Sequence, residues 1–276
     1  MHGTRRRSRA RTATLPGALL GVLLAAAPLA PREAAAIVGG EEAAPGAYPY
    51  AAVLVDVERR RPFCGGALIG PRHVLTAAHC LTGSYADTGQ VAVHLGEHDL
   101  RTAAESRHAR VARPARFTLH PRYDPRTQHD DLAVITLASP VRANPRIRPV
   151  ALPAPGASFT RTRLEAAGWG ATAFGGAPSP VLRAVTLDTL PNSACTLRGV
   201  DGLTPAQLCT WTPGRDTCVY DSGGPLVHRS PTGRPTLAAL VSYGHGCATD
   251  TPAVNTRITA YLPWITHHTG LRPPTP

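Results

Sequence analysis

Short apolar runs separated by turn residues set the limits on what this chain can become. Residues 51–57, 67–69, 91–95, 132–137, 181–187 and 237–241 are each of strand length and too short for a typical globular helix. The intervals between them carry much of the 28 prolines and 26 glycines, which favour turns and many short strands. At 276 residues, with 43% hydrophobic and 17% charged residues, the chain can bury a large core and is globular rather than disordered. An all-β plan follows. Helical spacing returns only near the end, over residues 256–268 (Ile258, Tyr261, Leu262, Ile265), with Pro263 setting where that helix begins or bends. Residues 142–163, rich in proline, arginine and alanine, read as a connection between two β units. Residues 271–276 read as a tail that is disordered or merely docked.

The first 36 residues are of a different kind. Arg5, Arg6, Arg7, Arg9 and Arg11 precede an apolar stretch over 15–27 that is too short for a permanent membrane span. Ala34, Ala35 and Ala36 then offer a small-residue cleavage site, the anatomy of a secretory signal peptide, with room for a short pro-segment. The expectation is a secreted, extracellular protein without a stable membrane anchor. All 29 basic residues are arginine. Six of them, and one of the 18 acids, lie in residues 1–36, which leaves 23 against 17, or +6, from Ile37 onward. No nucleic-acid motif accompanies that moderate charge, so it reads as a solvated basic surface. The six cysteines are Cys64, Cys80, Cys195, Cys209, Cys218 and Cys247. An even count in an exported chain reads as three disulfides; no C-x-x-C pair suggests zinc or redox chemistry, and counting alone allows 15 pairings.

Three local patterns carry chemistry. They are Leu75-Thr76-Ala77-Ala78-His79-Cys80, Asp131-Leu132-Ala133-Val134-Ile135, and Asp216-Thr217-Cys218-Val219-Tyr220-Asp221-Ser222-Gly223-Gly224-Pro225-Leu226. Each alone has a bland reading as a structural histidine, a turn acid or a glycine-rich loop. Together, and in the order His, Asp, Ser, they resemble the trypsin branch of the chymotrypsin-like serine proteases, from Ile37 to about His268. The resemblance implies two antiparallel six-stranded β-barrels over 37–148 and 149–276, with the active site between them and a short C-terminal helix. It implies endopeptidase chemistry through an acyl-enzyme, with Ser222 as nucleophile, His79 as general base and Asp131 orienting the imidazole. Asp130 competes for that last role; the register of the following apolar run points to Asp131, with Asp130 a solvated neighbour. The amides of Tyr220 and Ser222 would form the oxyanion hole. The cysteines would pair Cys64–Cys80, Cys195–Cys209 and Cys218–Cys247.

The resemblance also places Asp216 at the base of the specificity pocket, beside Thr217, and so implies cleavage after arginine in preference to lysine. Gly244 and Gly246 would leave the pocket mouth open, the backbone of Ser242 and Gly244 would pair with the extended substrate in antiparallel fashion, and Tyr243 would offer an aromatic shelf. Gln128 would wall the second subsite. Two residues depart from the family pattern: Tyr220 stands where glycine is usual, and Ala253 adds a methyl to the pocket wall. Because of Tyr220, a catalytically weak binding protein on the same fold is the rival reading, and an esterase without peptidase action a third. The new N-terminus at Ile37 would pair with Asp221. Ala36 precedes it, where no tryptic activator cuts, so signal peptidase itself is expected to release Ile37; its rival is cleavage by an elastase-like enzyme. Residues 97–105, which begin Glu97-His98-Asp99, are similar to a calcium loop, but only Glu97 and Glu105 stand available as carboxylate ligands, so neither a metal nor any other cofactor is expected. Expected partners are protein or peptide substrates and proteinaceous inhibitors, not nucleic acid, and the expected state is a monomer.

Overall fold

The computed structural model describes residues 1–3, 37–102 and 107–275. The leader assigned to residues 1–36 therefore lies almost wholly outside the described residues, as does Glu105 of the 97–105 loop. Fourteen strands are described: β1 (Glu41–Glu42), β2 (Ala51–Asp56), β3 (Pro62–Gly70), β4 (His73–Thr76), β5 (Val91–Leu95), β6 (Arg110–Ala112), β7 (Pro114–Leu119), β8 (Ala133–Leu137), β9 (Arg163–Gly168), β10 (Arg183–Leu190), β11 (Gln207–Thr210), β12 (Pro225–Arg229), β13 (Pro235–Tyr243) and β14 (Ala253–Arg257). Two helices accompany them, α1 (Asn192–Thr196) and α2 (Leu262–Thr269).

The strands form two antiparallel sheets. The second runs β10-β11-β14-β13-β12-β9, and β9 pairs back onto β10, so six strands close a barrel, with β1 added at β10. The first runs β6-β5-β2-β3-β4-β8-β7. Its two end strands are consecutive in the chain, with only Arg113 between them. The sheet therefore curls until its edges meet at one bent segment, and the seven strands stand in for six. A pleated sheet curled this way turns alternate side chains inward. In β5 the pattern is visible: Val91, Val93 and Leu95 are buried, while Ala92 and His94 are partly exposed.

The segment from Ile37 to Glu42 precedes the first sheet in sequence but belongs with the second. Glu41 pairs with Ala184, Val38 bridges Asp216, and the Ile37 side chain is fully buried among Phe159, Leu164, Val185 and Leu226. Between the sheets lie two mixed cores. Ala51 and Val53 of β2 pack with Trp169, Leu182 and Ala184. Leu75, Leu132 and Val134 pack with Leu237, Leu240 and the face of α2 formed by Leu262 and Ile265. Pro263 sits at the first turn of α2, where its missing N–H removes no intrahelical bond, and Gly270 ends the helix in a left-handed cap. Thr256 and Arg257, placed at the start of the helical pattern by sequence, instead continue β14. The tail is docked at Leu271, which packs in the same core as α2.

Candidate active site

The cleft forms where β4, β8, β12 and β13 end near one another. A strand end at Thr76 hands the chain to a single 3-10 turn, Ala78–Leu81, which carries His79 and Cys80. Cys80 is tied to Cys64 on β3, so the histidine turn is fixed to the neighbouring strand. Asp131 immediately precedes Leu132 and β8, which pairs with β4 in register, bringing residues 52 positions apart into contact.

Asp131 is 1% exposed. Its Oδ1 accepts from the His79 amide at 3.0 Å, and its Oδ2 lies 2.8 Å from His79 Nδ1. The Ser242 hydroxyl donates to the same Oδ2 at 2.6 Å, and the Thr256 hydroxyl donates to the Asp131 carbonyl at 2.8 Å. Three hydrogen bonds on one buried carboxylate fix its position and hold the imidazole in one orientation. The His79 ring, about a quarter exposed, presents its other nitrogen to the cleft. Asp130 faces away: its φ is +52°, and its carboxylate accepts from Tyr261 Oη at 3.0 Å, with Arg122 at 3.4 Å. It is a partnered acid rather than a free solvated one, because the left-handed turn at Asp130 sends the two neighbouring carboxylates in different directions.

Ser222 lines one cavity of about 420 Å³ together with His79 and with Asp216, Thr217, Val241, Ser242, Tyr243, Gly244, Gly246 and Ala253. The carbonyl of Ser222 is anchored by the Gly65 amide at 2.7 Å. Gly223 has φ +78°, and a β-carbon there would collide with Thr76 Oγ1, so the residue after the serine must be glycine. Asp216 is 7% exposed and accepts from the Ala248 amide at 3.1 Å. Burial pushes its carboxyl up to about 6, against the lowering effect of the Ala248 and Thr217 hydrogen bonds. Cys218 is joined to Cys247, which links the two walls of this pocket, and the third disulfide, Cys195–Cys209, closes a loop in the second barrel. The Ala253 side chain is buried at the wall.

Tyr220 also lines the cavity, with φ +78°, a conformation that costs a residue with a β-carbon ~1–3 kcal/mol. Neither its amide nor that of Ser222 donates to another protein group among the described residues, so both remain free for a developing oxyanion. Asp221 is 2% exposed; its two oxygens accept from the Gly170 and Cys218 amides, each at 2.9 Å. Side chains at positions 168 or 170 would collide with that carboxylate. Burial pushes its carboxyl up to about 7.

The structure thus brings together His79, Asp131, Ser222, Asp216, Thr217, Tyr220, Ser242, Tyr243, Gly244, Gly246 and Ala253. Gln128 does not line the cavity; it folds back, donating to the Pro125 carbonyl at 3.3 Å. Sequence reading missed Phe63 on β3, Tyr85 in the 3-10 turn Gly83–Tyr85 and Phe174 in a loop, which line the cavity without a motif of their own. It also missed the side-chain role of Ser242. Among the described residues, the histidine, cysteine and acid side chains close enough for a metal are Cys64, His79 and Cys80, and both thiols are spent in the disulfide. Glu97 lies 3.7 Å from His94 Nδ1.

A buried carboxylate, a histidine held by it and a serine beside two free amides, at the seam of two antiparallel β units, define a serine hydrolase of the two-barrel type. A model of the trypsin family matches residues 37–265. The chain is 38% identical to serine protease filzig of Drosophila melanogaster over 86% of its own length but only 14% of that protein. It is 34% identical to a venom serine protease of Polistes dominula, covering 83% of each, and 32% identical to a trypsin of Phaedon cochleariae, covering 85% of this chain and 89% of that one. The chain belongs to the trypsin family of serine endopeptidases.

Proposed function

We propose that this chain is a secreted peptidase that cleaves peptide bonds after arginine, and less well after lysine, through an acyl-enzyme. Ser222 attacks the scissile carbonyl as His79 takes its proton; Asp131 keeps the ring in the tautomer that can do so and stabilises the imidazolium. The amides of Tyr220 and Ser222 receive the oxyanion. His79 then returns the proton to the leaving amine, and water repeats the sequence on the ester. The hydrogen bond from the Ser222 hydroxyl to His79 forms when substrate excludes water from the cleft.

One observation carries the specificity: a buried carboxylate, Asp216, shares the cavity of Ser222. A guanidinium offers that carboxylate a planar pair of donors, whereas an ammonium offers a point charge, and the methyl of Ala253 suits a flat group better than a bulky hydrated one. Tyr243 and Gly244, with the backbone of Ser242, pair with the substrate strand. Profiling the mature protein against peptides carrying every residue before the scissile bond tests this. Preference for aromatic or small residues there overturns the assignment, and absence of fluorophosphonate labelling at Ser222 favours a binding protein instead.

Activation is proposed to follow release of Ile37, whose ammonium would pair with Asp221. The buried seat of the Ile37 side chain and the unneutralised Asp221 carboxyl support that reading. N-terminal sequencing of the exported protein tests it; a stable inactive form beginning upstream of Ile37 defeats release by signal peptidase.

A further inference from the structure

The cavity holds more wall than arginine specificity uses. Besides the residues around Asp216 and on β13, it is lined by Phe63, Tyr85, Phe174, Val219 and Tyr220, with Phe63 next to Cys64, whose disulfide partner Cys80 adjoins His79. Phe63 and Tyr85 stack with ring centroids 3.8 Å apart and planes 9° from parallel, a rigid slab set by β3 and the turn after Cys80. Phe174 is 71% exposed, an aromatic side chain with little of its own surface covered. Tyr220 is half-buried in the same space and holds a left-handed backbone there. The acyl part of a substrate occupies the Asp216 side and pairs with the end of β13. What remains for the leaving-group side is this aromatic part.

We infer that Phe63, Tyr85, Phe174 and Tyr220 form a leaving-group subsite that selects substrates with a large apolar residue, above all an aromatic one, in the first two positions after the scissile bond. This rests on the arginine-directed peptidase reading. Aromatic faces and edges pair well with a further ring and with aliphatic side chains. A cationic side chain could also lie over such faces. Arg60 and Arg61, three and two residues before Phe63 in sequence, oppose it: both are exposed and hold no ion pair among the described residues. The subsite therefore combines aromatic attraction with repulsion of positive charge. Tyr220 accounts for a conformation that a glycine would adopt without strain, since its ring supplies one of the four walls.

The test uses internally quenched peptides with one arginine, in which each of the next two positions is Phe, Leu, Gly, Glu or Arg. Values of kcat/KM are compared within each enzyme variant, so that any change at the oxyanion hole cancels. The protein beginning at Ile37 is expected to favour Phe over Gly about tenfold at one of the two positions, equivalent to about 1.4 kcal/mol, and to disfavour Arg. Tyr220→Gly and, separately, Phe174→Ala should each bring the Phe-to-Gly ratio below about threefold, while Tyr220→Phe restores it. A flat profile in the unaltered protein, a preference for Arg at these positions, or an undiminished ratio in both truncations overturns the subsite while leaving arginine specificity standing. Failure to cleave any of the arginine peptides overturns the arginine reading and the subsite with it.

Discussion

Replacing Asp216 by serine isolates the contribution of one buried charge to substrate choice. The carboxyl is 7% exposed and accepts hydrogen bonds from Ala248 and Thr217. Burial raises it from 3.8 to about 6, so the empty pocket already opposes the charge by ~3 kcal/mol. A bound guanidinium relieves that opposition and adds paired, charge-assisted bonds. Removing one partner of such a buried pair costs ~3–5 kcal/mol, because the other is left desolvated. At about 1.4 kcal/mol per decade, kcat/KM for arginine peptides should fall by ~10²–10⁴ in Asp216→Ser. A serine leaves room for water, which places the outcome toward the lower end. The assay is kcat/KM on matched peptides with arginine or leucine before the scissile bond. The leucine peptide should be unaffected or improved. The same carboxyl predicts a pH effect. Below about 6 it is protonated in the free protein, so the arginine-to-leucine ratio should fall as pH drops through that value, the triad's own titration cancelling in the ratio. A loss under tenfold, or a ratio flat from pH 5 to 8, would refute the pairing.

Ser222→Ala and His79→Ala should each abolish turnover, and the double variant should be little worse than either alone, since the groups act as a unit; active-site titration with circular dichroism separates lost chemistry from lost fold. Ser242→Ala removes the 2.6 Å donor from Asp131 and should lower kcat ~10–100-fold with little change in KM, a charged-acceptor hydrogen bond being worth ~1.5–3 kcal/mol; equal loss in KM would point to a substrate contact instead. Tyr220→Gly relieves a strained backbone at an oxyanion amide and should raise kcat on small arginine amides. A Ser222→Ala chain that retains residues upstream of Ile37 carries Asp221 without an ammonium. The folded carboxyl value of about 7 exceeds the unfolded one, so this group's stabilisation is full below about pH 4 and is lost as pH rises through 7. Unfolding free energies from urea titrations should therefore fall between pH 4 and 8, by on the order of 4 kcal/mol from Asp221 if no other group compensates. The form beginning at Ile37 should lose most of that dependence.

Local sequence carried the strands and the chemistry-bearing segments. The apolar run at 91–95 became β5 because alternate valine and leucine side chains pack on one face of a pleat, a pattern decided within five residues. Pro263 announced the start of α2 for an equally local reason, its fixed φ and missing N–H. His79, Asp131 and Ser222 were legible as candidates because each lies in an ordered motif, and the structure sets His79 against Asp131 and in one cavity with Ser222. What only the tertiary structure decided depends on residues far apart in the chain. Nothing local tells that the Ser242 hydroxyl reaches Asp131 across 111 positions, or that the 37–42 segment leaves the first sheet to join the second. The Asp130 carboxylate, turned from that of Asp131 by a left-handed backbone, is held by Tyr261 from 131 positions away. Phe63, Tyr85 and Phe174 have no shared motif; they line one cavity because β3 and the turn Gly83–Tyr85 of the first sheet and the loop after β9 of the second border the same cleft. Backbone periodicity is a short-range property and is written in the sequence. The convergence of side chains on one cavity is set by how two barrels pack, and that exists only once both have closed.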